Sequence, residues 1–121
     1  MTLEALRERV LYQTNNDADD LDDFEPHITD YLNIGYNLLL YAYSHRHVGA
    51  DDAPPLADPA DEPQVPERYQ SAIADWATWM IYRNGNLQKQ QRGQQFRYAA
   101  EQVFAEARAG VNGPRNFINI P

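Results

Sequence analysis

The chain contains no cysteine. That absence excludes a disulfide framework, a thiolate nucleophile and the cysteine-based zinc sites, and it fits a reducing cytosol. Positive charge is also scarce: ten Lys and Arg stand against eighteen Asp and Glu, a formal net charge of −8. General affinity for nucleic acid needs clustered Lys and Arg to displace counterions from phosphates, so this balance speaks against it. An acidic surplus also keeps a protein dissolved without any further role. Serine is reduced to Ser44 and Ser71, neither in a Gly-x-Ser-x-Gly turn, and no Gly-rich phosphate loop occurs. Long hydrophobic runs are missing as well. The most apolar stretch, Ile34 to Tyr43, is too short to span a bilayer and is interrupted by Gly35 and Asn37. No early segment joins positive charge to an apolar run, so no signal peptide is expected.

What remains is enough for one core. The chain has 121 residues, 43% of them hydrophobic, with eight Tyr, four Phe and two Trp. That length matches a single domain, and aromatic side chains serve both short bundles and protein contacts. Charge falls in blocks. Asp17 to Glu25 holds six acids, and Asp51 to Glu67 holds six more together with five of the eight prolines. Between Arg83 and Arg97 lie four basic residues and no acid.

Helical periodicity predicts four segments and an all-α fold, a small bundle of about four helices. The first runs from Thr2, an N-cap, to about Gln13, with Leu3, Leu6 and Val10 on one face. The second starts near Pro26 and reaches Arg46 or His47. It carries two apolar stripes, Ile28, Leu32, Leu39 and Tyr43 and also Tyr31, Ile34, Leu38 and Tyr41. A helix apolar on two sides is central or shared with a neighbour, and this one is the best candidate for the core helix. The third spans about Pro66 to Asn84, with Tyr69, Ile73, Trp76 and Met80 in phase, and Asn84-Gly85 is a left-handed stop. The fourth runs from about Leu87 to Ala109 with Phe96, Ala100, Val103 and Ala107 on one face, making an antiparallel hairpin with the third. Residues 49–66, with Pro54, Pro55, Pro59, Pro63 and Pro66, read as a long exposed loop within a bundle domain of residues 1–110. Residues 110–114 break the helix and residues 115–121 alternate like a short strand, so residues 111–121 read as an extended C-terminal arm.

Catalytic and metal sites find little support. Aligning Asn15, Asp17 and Asp19 with a calcium loop puts Asp20 where Gly is needed and Pro26 where the bidentate Glu belongs. His45 and His47 are two residues apart and point to different sides of a helix, while His27 stands alone. The carboxylates crowd into loops rather than onto an apolar scaffold, so no raised carboxyl pKa is expected. The reading is of a non-enzyme without metal or other cofactor.

Two features point to partners. Arg83, Lys89, Arg92 and Arg97, interleaved with Gln88, Gln90, Gln91, Gln94 and Gln95, form a basic band. It is either a solvated face or the surface that meets the acidic loops of a neighbouring copy, head to tail, in a closed ring. The tail bearing Phe117, Ile118 and Ile120 either docks on its own bundle or adds as a strand to a partner.

The run Asp75-Trp-Ala-Thr-Trp-Met-Ile-Tyr-Arg-Asn-Gly-Asn-Leu-Gln-Lys-Gln-Gln-Arg-Gly, followed by Phe96 and an Ala- and Glu-rich helix, resembles the helical hairpin of the head-to-tail connector (adaptor, or head-completion) proteins of tailed bacteriophages. Ile28-Thr-Asp-Tyr-Leu-Asn-Ile-Gly-Tyr resembles their central helix, where Leu-Asn-x-Ala/Gly is usual. The resemblance in architecture covers residues 1–109, and these motifs concern packing and turns rather than chemistry. It implies a ring-forming structural protein of the virion neck, assembled in the host cytoplasm. Its partners would be the portal protein, neighbouring copies and a tail or stopper protein, with no membrane, and DNA would pass through without specific binding. Arg115, Phe117, Ile118 and Ile120 would be the portal-docking residues. An acidic lumen would let DNA slide. The residues alone also allow a cytosolic module that binds a basic partner through its acidic loops. A weaker possibility is a helical nucleic-acid binder using the basic band.

Overall fold

Thr2 opens the first helix: its hydroxyl accepts the Ala5 N–H and satisfies one of the donors that a helix start leaves unpaired. The computed structural model describes residues 1–14, 24–44 and 53–110. Within them lie α1 (Leu3–Gln13), α2 (Ile28–Ser44), α3 (Glu67–Tyr82) and α4 (Leu87–Ala109), and a single 3-10 turn at Glu25–His27 leads into α2. The described residues contain no strand. The protein is all-α, a small four-helix bundle.

The predicted stripe of α1 is the buried one: Leu3, Leu6 and Val10 enter the core. Leu6, Ile28, Leu32, Leu39, Ile73 and Ile81 are fully enclosed. Each contributes roughly 1.5–3 kcal/mol by leaving water. The hairpin of α3 and α4 is also as expected, since Tyr82 stacks on Phe96 near the turn and Trp76 meets Phe104 further along.

The central helix is α3, not α2. Both helices pack on all three others, but eleven of the sixteen residues of α3 are buried, against seven of seventeen in α2. The second apolar stripe of α2 faces outward, with Ile34, Leu38 and Tyr41 exposed. Close approach to α3 is arranged by small residues on its neighbours. A Cβ at Gly35 would lie 3.0 Å from the Ile73 carbonyl, and one at Gly93 only 2.7 Å from Tyr82 Cβ.

Two further expectations change. Gly85 does not take a left-handed conformation; Arg83 caps α3 with helical geometry, and Asn86 starts α4 by accepting the Lys89 N–H. A side-chain cap for the following helix does the work assigned to a glycine stop. The left-handed residue is Gly110, at φ 71°, where α4 ends. The loop between α2 and α3 is not simply exposed either. Over residues 53–66, Leu56, Pro63 and Val65 are buried, because hydrogen bonds from α1, α2 and α3 hold this stretch down. Its first residues, 49–52, lie outside the described ones, as do His45, Arg46 and His47.

Candidate interaction surface

Three side chains pin the proline-rich segment to the bundle. Asn33 bonds the Leu56 peptide in both directions, Nδ2 donating to the Leu56 carbonyl (2.9 Å) and Oδ1 accepting the Leu56 N–H (2.8 Å). The Tyr36 hydroxyl accepts the Gln64 N–H at 2.7 Å; burial pushes this phenol up in pKa, and that bond pulls it partly back. Gln70 donates to the Val65 carbonyl at 2.9 Å. Proline forbids a helix here but leaves carbonyls free to accept. Two of them serve α1: Asp61 accepts the Leu3 N–H (2.7 Å) and Pro59 the Glu4 N–H (3.1 Å). With Thr2 on Ala5, three successive first-turn donors of α1 are satisfied.

The segment thereby becomes a fixed acidic surface. The Asp61 carboxylate accepts the Ala57 and Asp58 N–H groups, both at 2.8 Å, and these bonds hold it below the usual carboxylate range. Asp58, Glu62 and Glu67 are exposed around it, with Glu4 exposed on α1.

On the opposite charge, α4 is a 23-residue helix that buries only Gly93, Ala100 and Ala107. Seven residues nearly complete two turns, so these three form one narrow seam. The rest of the circumference is open or half-open, and Gln88, Gln91, Gln94 and Gln95 are exposed along it. Arg92 is exposed and Lys89 half-buried on this helix, with Arg83 exposed at the end of α3. Arg97 departs from the band. It lies about 140° around the helix from Arg92. Its guanidinium sits over the rings of Trp79 (5.4 Å) and Trp76 (6.0 Å) and pairs with Glu101 at 3.1 Å. Arg97 therefore braces α4 on α3, on a different side of the helix from Arg92.

Nothing in the sequence marks Asp75 as buried or the second stripe of α2 as facing outward. At the joint of α1 and α3, Gln13 donates to Asp75 (2.9 Å) and accepts from the fully buried Thr78 (2.5 Å), while Tyr82 donates to the Gln13 carbonyl (3.2 Å). Burial raises the Asp75 pKa, against the opposing pull of the Gln13 bond and the Arg9 charge. A raised carboxyl thus exists on α3, contrary to expectation. Asp75 lies one turn from the polar Ser71 and one turn from Trp79, so its own helix gives no local signal of such burial. The stripe was counted as core because its spacing is that of a core stripe.

Among the described residues, no three His, Asp or Glu side chains gather as a metal-holding group, and no helix is long and apolar enough to cross a membrane. His27 is exposed, 6.1 Å between ring centres from Tyr31. The calcium-like run 15–23 and the tail residues Arg115, Phe117, Ile118 and Ile120 lie outside the described residues. No family model matches the chain, and neither the curated proteins nor the solved structures compared with it contain a match.

Proposed function

We propose that the protein is a structural adaptor of a phage neck, forming a ring between the portal and the tail or stopper around the DNA channel. The observation that carries this reading is α4: a 23-residue helix, roughly 34 Å long, that fully buries only Gly93, Ala100 and Ala107 and exposes Gln88, Gln91, Arg92, Gln94 and Gln95 along its first turns. One face of this helix packs on α3 through Phe96, Phe104 and Arg97, and the opposite face is left for lateral contact with a neighbouring copy. The fixed acidic segment around Asp58, Asp61 and Glu62 supplies a complementary surface for Arg83, Lys89 and Arg92 of the next subunit. Such a contact is heterologous, and heterologous contacts close into rings when the rotation permits.

The Leu-Asn-x-Gly wording shared with connector proteins also has physical content in this chain. Leu32 is core, Asn33 holds the acidic segment, and Gly35 admits α3. Residues 111–121 would reach the portal, with Phe117, Ile118 and Ile120 as apolar anchors beside Arg115. Co-purification with the portal encoded in the same genome tests this. The full chain should be retained by the portal ring, and the double variant Phe117→Asp, Ile118→Asp should elute alone with unchanged helical circular dichroism. Retention of the double variant would remove the tail from portal docking.

The ordered acidic segment also favours a second reading, a cytosolic module that binds a basic partner. Steep salt sensitivity of binding to a Lys/Arg-rich peptide, with no portal retention, would select it.

A further inference from the structure

The outward stripe of α2 is apolar without being core. Ile34, Leu38 and Tyr41 are 42%, 38% and 68% exposed, spaced so that they share one face. Other large exposed apolar residues, Tyr12, Leu87 and Tyr98, lie on different helices. Three such side chains in a row on one face make a continuous strip that water meets at a cost.

The end of α4 lies against one end of this strip. The Arg108 guanidinium sits 5.5 Å from the centre of the Tyr41 ring, and Ala107 is buried, so the last turn of α4 is fixed beside α2. Gly110 then takes the left-handed conformation that ends the helix and turns the chain off its axis. Gly110 thus ends α4 two residues after Arg108, whose side chain reaches Tyr41. From Tyr41 to Ile34 is about 10 Å along α2. Eleven residues can span up to about 36 Å, which leaves ample slack for Phe117, Ile118 and Ile120 to cover the strip. Charge agrees with this placement. Residues 111–121 carry one base, Arg115, and no acid, whereas α2 carries one acid, Asp30, exposed and one turn before Ile34, and no base.

We infer that in the free protein residues 111–121 fold back over the α2 strip of their own chain, seating Phe117, Ile118 and Ile120 on Ile34, Leu38 and Tyr41. The docked tail is a property of the isolated chain and does not depend on any portal. Where a portal is the partner, it competes with α2 for the same three side chains.

The absence of cysteine makes the test direct. In the full chain, the pair Leu38→Cys with Ile118→Cys is compared with Tyr12→Cys with Ile118→Cys under mild oxidation at high dilution. Docking in cis raises the local concentration of the first pair, so it should close at least about tenfold faster than the second and run as a compact monomer on a non-reducing gel. Equal rates for both pairs, or bonds formed only between chains, would overturn the inference. Because cysteines could disturb the strip, the unaltered protein gives the second readout. Nuclear Overhauser contacts between the Leu38 methyls and Phe117 or Ile118 should be present, and their absence refutes docking. Loss of these contacts and loss of portal retention are separate results, so either reading can fail alone.

Discussion

The Asn33 side-chain amide hydrogen-bonds both backbone groups of Leu56, donating to its carbonyl at 2.9 Å and accepting its N–H at 2.8 Å, across 23 positions of sequence. A helix side chain here does what a neighbouring strand would do in a sheet: it satisfies the donor and the acceptor of one residue together. Leu56 can then be buried without leaving its backbone unpaired.

Replacing Asn33 by Ala should therefore cost more than one ordinary bond. With Leu56 still buried, both its peptide groups lose their partner, a penalty of about 1–3 kcal/mol. Denaturant titration should show a lower midpoint, and the amides of Leu56 and Gln64 should exchange faster than those of α3. An unchanged midpoint would mean that the segment is held by its apolar residues alone.

Gly93→Ala tests the seam of α4. Helix propensity alone favours Ala over Gly by about 1 kcal/mol, so a helix that merely rests on α3 would be stabilised. A Cβ at Gly93 would meet Tyr82 Cβ at 2.7 Å and Trp79 Cε3 at 3.0 Å. The first of these belongs to a stem that cannot swing away. The substitution should lower stability by about 1–3 kcal/mol, and a rise in thermal midpoint would show that the seam is loose.

Asp75 gives a pH signature. Its folded pKa is raised, chiefly by burial, so the native state holds this proton more tightly than the unfolded chain. The resulting stabilisation is complete below the unfolded carboxyl value, about 3.9. It is lost as pH rises from there through the higher folded value, because ionisation then occurs in a buried setting. Asp75→Asn keeps an acceptor for Gln13 and removes the ionisation. Its thermal midpoint should exceed that of the unaltered protein near neutrality, and the gap should close as the pH falls. A gap that widens on acidification would reverse the assignment.

Charge complementarity between copies predicts that Arg92→Glu weakens self-association by roughly 1 kcal/mol per contact, about fivefold. Raising the salt to about 1 M, where screening acts over ~3 Å, should do the same to the unaltered protein. Sedimentation at several salt concentrations measures both. Association indifferent to salt and to Arg92 would place the contact elsewhere on α4.

Much of this fold could be read from residue spacing. Thr2, the Tyr69–Ile73–Met80 phase and the Ala100–Ala107 interval mark helices and buried faces through local rules. What escaped depends on partners distant in sequence. Ala72, Ala74 and Thr78 make α3 central, yet small and polar residues give little hydrophobic signal. The α2 stripe has core spacing, but nothing in its own run says whether another helix will cover it. Proline in residues 53–66 rules out a helix and says nothing about docking, which Asn33, Tyr36 and Gln70 decide from other elements. The basic band split because Arg97 lies within reach of two Trp rings, a contact that linear charge counting cannot register.

Electron microscopy of the purified protein, alone and mixed with the portal ring from the same genome, tests the adaptor reading most directly. The account predicts a closed ring of this protein stacked on the portal, with α4 at the contacts between subunits. Dispersed single subunits beside a bare portal would contradict it.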